Sequence, residues 1–353
     1  MIRRRVAALL PSAGAITRSS WPRVSGSAPR ICGASKFVVS RSSRLASPSR
    51  PELMPTTSAR SLARKLAELP GVAVVEDLPL AEKTRFGIGG PADLYLETSC
   101  QGSLVEALRL LDAASIPRAM LGGGTNVIVA DEGFRGAVLH YTGARMERSG
   151  SSIHVDAGAE LQRLVDEANA AGLKGLETLA GIPGTVGGAV YGNAGAYGHS
   201  ISECVREVRV WDGERVGCLT AEACAFDYRE SVFKRQRRWV ILAVGLELQP
   251  GDPAELTRRS AELVALRREK YPPEMRCAGS IFKNLIYDRL PPRARAAFPP
   301  ELVREGKAPA AWFLEQVGAK GMRCGDIVVA AHHANLIYNA GAGTARQLCE
   351  LIA

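Results

Sequence analysis

Apolar positions in this chain recur with two different periods, which indicates a mixture of helices and strands. The segments that repeat their apolar positions every three or four residues predict helices at 61–69, 103–114, 160–171, 254–270 and 310–317, and from Thr344 onwards. The short runs that alternate or are continuously apolar predict strands at 93–97, 118–121, 126–129, 137–140, 152–155, 205–211, 239–248 and 327–338. This interleaving of the two periods predicts an α+β fold.

Two breaks in the pattern divide the chain. Residues 71–80 predict a short connector after the first helix, and the Pro-Gly-Asp-Pro sequence at 250–253 predicts a domain boundary. The expected organisation is therefore an extension at 1–55, a helix and connector at 56–83, a main domain at 84–250 and a C-terminal domain at 254–353.

The positive charge of the chain is confined to its first residues. The whole chain carries +9, but residues 1–50 hold ten Lys or Arg and no acid, so the remaining 303 residues carry a net charge of −1. Such a composition is typical of a disordered transit peptide or of upstream sequence read from an early start, with Met54 as the alternative to Met1. A basic tail is not a basic binding face, and we expect no nucleic-acid partner.

Cysteine spacing and hydropathy argue against a metal-binding protein and against a membrane protein. None of the eight cysteines forms a C-x-x-C pair, so the sequence predicts no metal site and reduced thiols in a cytoplasmic protein. No apolar run reaches the ~18 residues that a membrane span requires, and we expect no membrane partner.

Two glycine-rich segments lie between apolar strands, and both are candidates for binding a pyrophosphate. Glycine lets the backbone approach phosphate oxygens closely, and successive N–H groups form an anion-binding nest; tight turns are the alternative. Neither segment has the spacing of a Rossmann fingerprint or a P-loop. We name residues 121–126 the first glycine loop and residues 181–198 the second. Their candidate binding residues are Gly122, Gly123, Gly124, Thr125, Asn126, Gly181, Ile182, Gly184, Gly187, Gly188, Asn193 and Gly195.

Read in order, the motifs closely resemble the UDP-N-acetylenolpyruvoylglucosamine reductase family, in its type II branch. The resemblance runs from about Thr84 to the C-terminus. The matching segments are 84–90 (TRFGIGG), 121–126 (LGGGTN), 180–189 (AGIPGTVGGA), 193–198 (NAGAYG), 228–231 (YRES), 279–284 (GSIFKN), 320–322 (KGM) and 333–335 (HAN).

The resemblance implies a fold and a reaction. The fold is an FAD-binding domain of the vanillyl-alcohol-oxidase (PCMH) type in two subdomains, at 84–250, followed by a C-terminal α+β substrate domain. The reaction is the NADPH-driven, FAD-dependent reduction of UDP-N-acetylglucosamine enolpyruvate to UDP-N-acetylmuramate, a step of peptidoglycan synthesis that serves cell-wall biogenesis, cell shape and division. The resemblance further implies noncovalent FAD and a monomeric cytoplasmic enzyme.

The same resemblance implies roles for individual residues. Arg229 matches the arginine that stabilises the enolate, and Ser280 matches the proton donor. Tyr197, Lys270 and Asn284 fall where the family holds the nucleotide sugar. The family assigns no chemistry to the positions of His332 and His333, which we interpret as structural.

One departure leaves alternatives open. The family pattern closes with a strand that carries a catalytic glutamate, whereas this sequence stops in the last helix, and Glu350 is not that residue. From the sequence we therefore expect FAD and substrate binding with slow turnover. A nucleotide-binding remnant without catalysis and another flavin oxidase of the same superfamily are the alternatives.

Overall fold

The computed structural model describes Phe37–Val39 and residues 56–353. Most of the basic extension predicted at 1–55 lies outside the described residues. Within it, Phe37–Val39 forms strand β1, which pairs in parallel with Val127–Val129 and which the composition did not predict.

The N-terminal unit begins with a four-stranded sheet covered by two helices. In the order β2-β3-β6-β4, β2 is antiparallel to β3, whereas β6 is parallel to both of its neighbours. Its elements are α1 (Thr56–Ala67), β2 (Val72–Pro79), β3 (Pro91–Thr98), α2 (Gln101–Ala113), β4 (Arg118–Met120), β5 (Val127–Val129) and β6 (Phe134–Tyr141).

A five-stranded antiparallel sheet, in the order β13-β12-β14-β8-β7, completes the N-terminal unit. One large apolar core joins it to the first sheet: Leu94 and Leu139 pack with Val155, Val208 and Leu242. Its elements are β7 (Met146–Ser149), β8 (Ser152–Asp156), α3 (Leu161–Ala170), β9 (Leu173–Lys174), α4 (Val186–Tyr191), β10 (Gly195–Ala196), β11 (His199–Ser200), β12 (Val205–Trp211), β13 (Val216–Thr220), α5 (Val232–Arg235), β14 (Val240–Glu247), β15 (Gln249–Pro250) and α6 (Pro253–Lys270).

Helix α6 links the two units. It begins at Pro253 with Asp252 as its N-cap, and the Asp252 carboxylate accepts a hydrogen bond from the Glu255 amide at 2.9 Å. Along its length it packs on α3, where the buried Asn169 and Ser260 side chains are hydrogen-bonded at 2.7 Å. The helix therefore packs on the N-terminal unit, and its last residues lead into the C-terminal unit.

The C-terminal unit is a four-stranded antiparallel sheet, in the order β16-β21-β20-β19, packed against helices. Asp131 of the N-terminal unit caps its last helix, accepting hydrogen bonds from the Ala345 and Arg346 amides at 2.7 and 3.0 Å. The elements are β16 (Cys277–Ser280), β17 (Leu285–Ile286), α7 (Pro292–Ala297), β18 (Lys307–Ala308), α8 (Ala310–Gln316), β19 (Arg323–Cys324), β20 (Ile327–Val329), β21 (Leu336–Asn339) and α9 (Ala345–Ile352).

The 84–90 segment inserts its apolar side chains into the C-terminal core. Phe86 and Ile88 are buried among residues of the C-terminal unit, including Ile281, Leu314 and Leu348. The buried Asn339 amide of β21 adds polar contacts, since its Nδ2 donates to the carbonyl oxygens of Phe86 and Gly87, both at 3.3 Å. The two units are therefore joined by a shared core as well as by the chain.

The long periodic segments folded as predicted, whereas one connector did not. The predicted helices at 61–69, 103–114, 160–171 and 254–270 are confirmed as α1, α2, α3 and α6, within a few residues at their ends. The prediction of a connector at 71–80 was wrong, because that segment forms β2. The strand lies at the edge of its sheet and none of its residues is fully buried, so it lacks the apolar pattern that identifies inner strands.

Over the residues that the structure describes, no helix is both long and apolar enough to cross a membrane. The same residues contain no cluster of three His, Cys, Asp or Glu side chains arranged to bind a metal ion.

We predict that Phe86→Ala lowers the free energy of unfolding by about 3–5 kcal/mol, because it removes a fully buried aromatic ring from the core that joins the units. Chemical denaturation followed by circular dichroism measures the change. Leu266→Ala is the control, since the Leu266 side chain is 53% exposed and its loss should cost less than about 0.5 kcal/mol. Equal losses in the two variants would contradict the shared core.

Candidate functional site

The two glycine loops pack directly against each other. The Thr125 hydroxyl of the first loop donates to the Pro183 carbonyl of the second at 3.0 Å. A Cβ atom added at Gly122 would lie 2.7 Å from the Thr185 hydroxyl, and one added at Gly123 would lie 3.1 Å from the Gly184 Cα. Only glycines allow this approach, so the loops form one continuous backbone surface.

Two of these glycines also adopt a conformation that other residues avoid. Gly124 has φ +63° and Gly184 has φ +123°. A Cβ atom at Gly124 would lie 2.0 Å from the Lys83 carbonyl oxygen, whereas Gly123 is exposed to solvent. A tight backbone cradle with an open glycine face fits the pyrophosphate of FAD, because it brings N–H groups rather than side chains to the phosphates.

Several other predicted binding residues of the second loop make contacts that hold the loop itself in place. Gly187 packs against Ala157, where an added Cβ atom would lie 2.9 Å from the Ala157 Cβ. The Gly188 amide donates to the Thr185 hydroxyl at 3.2 Å, which caps α4. Gly181 and Ile182 are half-buried, and a Cβ atom added at Gly181 would lie 2.9 Å from the Arg267 Cδ. In the first loop, Asn126 is exposed.

Arg229 sits at the tip of a tight turn that is anchored to the second glycine loop. Asp227 and Glu230 exchange backbone hydrogen bonds across the turn, and Arg229 takes the left-handed conformation with φ +57°. Its guanidinium donates to the Asn193 carbonyl at 3.0 Å and to the Gly195 carbonyl. Strain of this kind persists only where surrounding contacts hold it, and it is frequent at functional sites.

Buried side chains fix the same turn from below. The Asn193 amide donates to the Asp227 carbonyl at 3.0 Å, and the fully buried Ser231 hydroxyl donates to the Tyr191 carbonyl at 2.7 Å. Asn193 and Gly195, predicted to bind cofactor, therefore also hold Arg229 in place. The sequence motif 228–231 gave no role to Ser231, although a buried serine that follows an arginine turn indicates one.

Arg229 is a desolvated cation without a carboxylate partner among the described side chains. Burial lowers the pKa of Arg229, and the charge of Arg267 acts in the same direction, whereas Tyr228, Glu305 and Tyr271 oppose them. Two of its five N–H groups bind backbone carbonyls, which leaves the rest of the fork available to a carboxylate. Burying a charge without a counterion is costly, so the arrangement suits an anionic ligand.

Lysines surround the Arg229 turn. The Lys234 ammonium donates to the Arg229 carbonyl, and burial lowers the pKa of Lys234 to about 8. Lys283 pairs with Glu230 at 2.5 Å, and Lys307 lies over the Tyr228 ring at 4.6 Å from its centroid. This excess of cations adds to the attraction for a negatively charged substrate.

Ser280 ends β16 and is held by the loop that leads into β21. The buried Asn335 side chain accepts a hydrogen bond from the Phe282 amide and donates to the Phe282 carbonyl, both at 2.8 Å. The Ile281 amide donates to the Asn335 carbonyl at 3.0 Å. Asn335 therefore clamps the residues after Ser280, a role that the motif 333–335 did not reveal because its partner lies 53 residues away.

The Ser280 hydroxyl is 3.2 Å from the Tyr271 hydroxyl, and either can donate. The Tyr271 ring also contacts two cations of α6, with the Arg267 guanidinium 5.8 Å and the Lys270 ammonium 5.2 Å from its centroid. The sequence analysis gave Tyr271 no role. An aromatic residue between a charged helix end and Pro272 was the only signal for it.

The predicted substrate-binding residues differ in their contacts, and of the three only Lys270 contacts Tyr271. Lys270 is half-buried, with its ammonium 5.2 Å from the Tyr271 ring centroid. Tyr197 is 48% exposed and left-handed with φ +54°, next to Gly198, which approaches the Glu305 carboxylate. Asn284 is exposed, and its side chain accepts from the Ala310 amide at 3.2 Å at the start of α8.

The two histidines both contact backbone groups. His332 is exposed and contacts the Lys270 carbonyl at 3.1 Å. Burial lowers the pKa of His333 to about 4, assisted by the charges of Lys270 and His332. The neutral ring is compatible with its Nδ1 accepting a hydrogen bond from the Asn335 amide at 3.2 Å, which supports the clamp on the Ser280 strand.

Comparison with known proteins gives two family matches that together span most of the described chain. Residues 92–216 match an FAD binding domain, and residues 271–353 match the C-terminal domain of UDP-N-acetylenolpyruvoylglucosamine reductase. The first match contains both glycine loops, and the second contains Tyr271 and Ser280.

Whole-chain relatives agree with the family matches. A UDP-N-acetylenolpyruvoylglucosamine reductase from Solibacter usitatus is 55% identical over 82% of this chain and 93% of its own length. The reductase from Rubrobacter xylanophilus is 37% identical over 78% of this chain and 86% of its own length. The crystal structure of the Thermus caldophilus reductase covers 80% of this chain and 93% of its own, with 32% identity and a TM-score of 0.65.

These matches agree with the geometry of the site, in which the two glycine loops pack on each other and the second loop holds the half-buried Arg229 guanidinium. The α+β fold, with an FAD-binding domain followed by a separate C-terminal domain, is confirmed. The chain belongs to the UDP-N-acetylenolpyruvoylglucosamine reductase family.

Proposed function

We propose that the protein reduces the enolpyruvyl ether of UDP-N-acetylglucosamine to UDP-N-acetylmuramate, with noncovalent FAD as cofactor and NADPH as reductant. The observation that carries the proposal is the Arg229 turn, whose guanidinium is held by the Asn193 and Gly195 carbonyls of the second glycine loop. We place the reaction in cytoplasmic peptidoglycan precursor synthesis, upstream of cell shape and division, and propose that a single chain performs it.

FAD, when bound, supplies hydride transfer between NADPH and the terminal methylene carbon of the substrate. The residues proposed to hold it are those of the two glycine loops, whose paired glycines provide a backbone cradle. Their close packing explains why side chains other than Thr125 and Asn126 are scarce on this surface.

Arg229 and Ser280 divide the rest of the chemistry. Hydride addition to the methylene carbon leaves negative charge on the substrate carboxylate, as an enolate, and the desolvated Arg229 guanidinium stabilises that charge. Collapse of the enolate takes a proton at the adjacent carbon, and the Ser280 hydroxyl donates it. The backbone carbonyls of Asn193 and Gly195 orient the guanidinium for this role.

The surrounding cations would bind the nucleotide part of the substrate. Lys270 and Tyr197 are proposed to bind it, and Lys283 and Lys307 add positive charge at Glu230 and over the Tyr228 ring. Asn284 borders the same region at the start of α8, where it also caps the Ala310 amide. A diphosphate bridging these positions would place the enolpyruvyl group between Arg229 and Ser280.

The purified protein should bind one FAD and turn yellow, and Gly184→Ala should weaken binding about tenfold or more. An alanine at φ +123° is strained by about 1–3 kcal/mol, and its Cβ would lie 3.0 Å from the Thr125 hydroxyl. Flavin fluorescence titration measures the affinity. Gly217→Ala is the matched control, since nothing lies within 4 Å of its added Cβ. Folded wild-type protein that stays colourless with FAD would end the cofactor assignment.

Ser280→Ala should leave reduction of the protein by NADPH unchanged and slow its reoxidation by the enolpyruvyl nucleotide about 10²–10⁴-fold, because a proton donor is needed only when carbon is protonated. Anaerobic stopped-flow absorbance separates the two half-reactions. Ser149→Ala, at an exposed position of β7, is the control and should match the wild type in both. Equal losses in both halves would assign Ser280 a structural role, and wild-type protein reoxidised only by oxygen would refute the proposed reaction.

A further inference from the structure

Tyr271 occupies the junction between the helix that crosses the two units and the strand that carries Ser280. Its amide donates to the Arg267 carbonyl at 2.8 Å, so it is the C-cap of α6. Its ring packs with Cys277 and Leu336 of the C-terminal sheet. The side chain is therefore fixed from both ends, with its hydroxyl 3.2 Å from the Ser280 hydroxyl.

Cations face the Tyr271 ring. The Arg267 guanidinium lies 5.8 Å and the Lys270 ammonium 5.2 Å from the ring centroid. Among the described side chains, no carboxylate is hydrogen-bonded to the Tyr271 hydroxyl. The Ser280 hydroxyl is the hydrogen-bond partner of the Tyr271 hydroxyl among the described side chains, and the cations lie against the ring.

The proposed reaction needs this kind of support at Ser280. An aliphatic alcohol is a weak acid, and a serine that gives its proton to carbon is left with a costly alkoxide in a half-buried position. A phenol is the stronger acid of the two hydroxyls in this pair. The pair therefore has the correct order of acidity to pass a proton from tyrosine to serine.

Resting on the proposed function, we infer that Tyr271 is a positioning residue that relays a proton to Ser280 while Ser280 protonates the substrate carbon. The Ser280 O–H bond breaks as the new C–H bond forms, and the Tyr271 O–H bond breaks as its proton moves to Ser280 Oγ. The Tyr271 phenolate then recovers a proton from solvent. One proton enters from solvent for each proton delivered to carbon, and no electrons move in the relay.

Tyr271→Phe tests the relay, because it keeps the packed ring and removes only the hydroxyl. Reoxidation of the NADPH-reduced protein by the enolpyruvyl nucleotide should slow about 10- to 100-fold, while reduction by NADPH is unchanged. The Kd of that nucleotide for the oxidised protein, measured by calorimetry, should change less than about twofold. Reoxidation is then measured in H₂O–D₂O mixtures. The wild-type rate should depend on the deuterium fraction along a curve, because two protons move in the same step. The rate of the Tyr271→Phe variant should depend on it linearly, because only one proton moves.

Tyr287→Phe is the matched control, since Tyr287 is another ring of the C-terminal unit with an arginine over it, at 5.8 Å, outside the proposed site. It should behave as the wild type in every measurement. A linear dependence in the wild type, or a Tyr271→Phe rate within twofold of wild type, would overturn the relay while leaving the proposed reaction intact. Wild-type protein that the nucleotide fails to reoxidise would overturn both.

Discussion

The insertion of the 84–90 segment into the C-terminal core is the contact on which the rest of the structure depends. Phe86 and Ile88 place side chains from the N-terminal unit among those of the last sheet, and Asn339 binds the backbone between them. Because a close-packed core does not deform continuously, this contact sets the distance between the Arg229 turn and the Ser280 strand. The Arg85 guanidinium, which donates to the Pro272 carbonyl at 3.2 Å, ties the same segment to the residue after Tyr271.

The site separates its tasks between the two units. The N-terminal unit supplies the glycine surface and a desolvated guanidinium, whereas the C-terminal unit supplies hydroxyl groups on a sheet edge. Cations outnumber acids around the centre, although the chain beyond residue 50 is nearly neutral overall. Folding therefore concentrates positive charge around Arg229. Neither the net charge of the chain nor the distribution of charged residues along the sequence reveals this concentration.

Sequence reasoning succeeded where a signal was local and failed where it depended on distant contacts. The helices α2, α3 and α6 and strands such as β14 have long apolar patterns, and these were predicted. Strand β2 was missed because an edge strand need not bury a face, and α4 was missed because its glycines suggested a loop throughout. The glycine loops were located from composition, but nothing in the sequence indicated that they pack on each other.

The residues of the proposed site show the same division. Arg229 and Ser280 were found through short motifs, and the structure places the Arg229 guanidinium on the second glycine loop and the Ser280 hydroxyl 3.2 Å from the Tyr271 hydroxyl. Asn335, Asn339 and Tyr271 were overlooked because each acts on a partner brought close only by the fold. For Asn339 that partner lies more than 250 residues earlier in the chain.

The anchoring of the Arg229 turn to the second glycine loop has a thermodynamic consequence. Asn193 and Gly195 belong to the proposed cofactor surface and also hold the guanidinium, so one set of backbone atoms serves two ligands. Any ligand that orders this loop lowers the entropic cost of ordering the arginine. Linkage is reciprocal, so an anion bound at Arg229 must tighten the hold on the dinucleotide by the same factor. The two sites are therefore linked through shared backbone atoms, and any effect of one ligand on the affinity for the other is reciprocal.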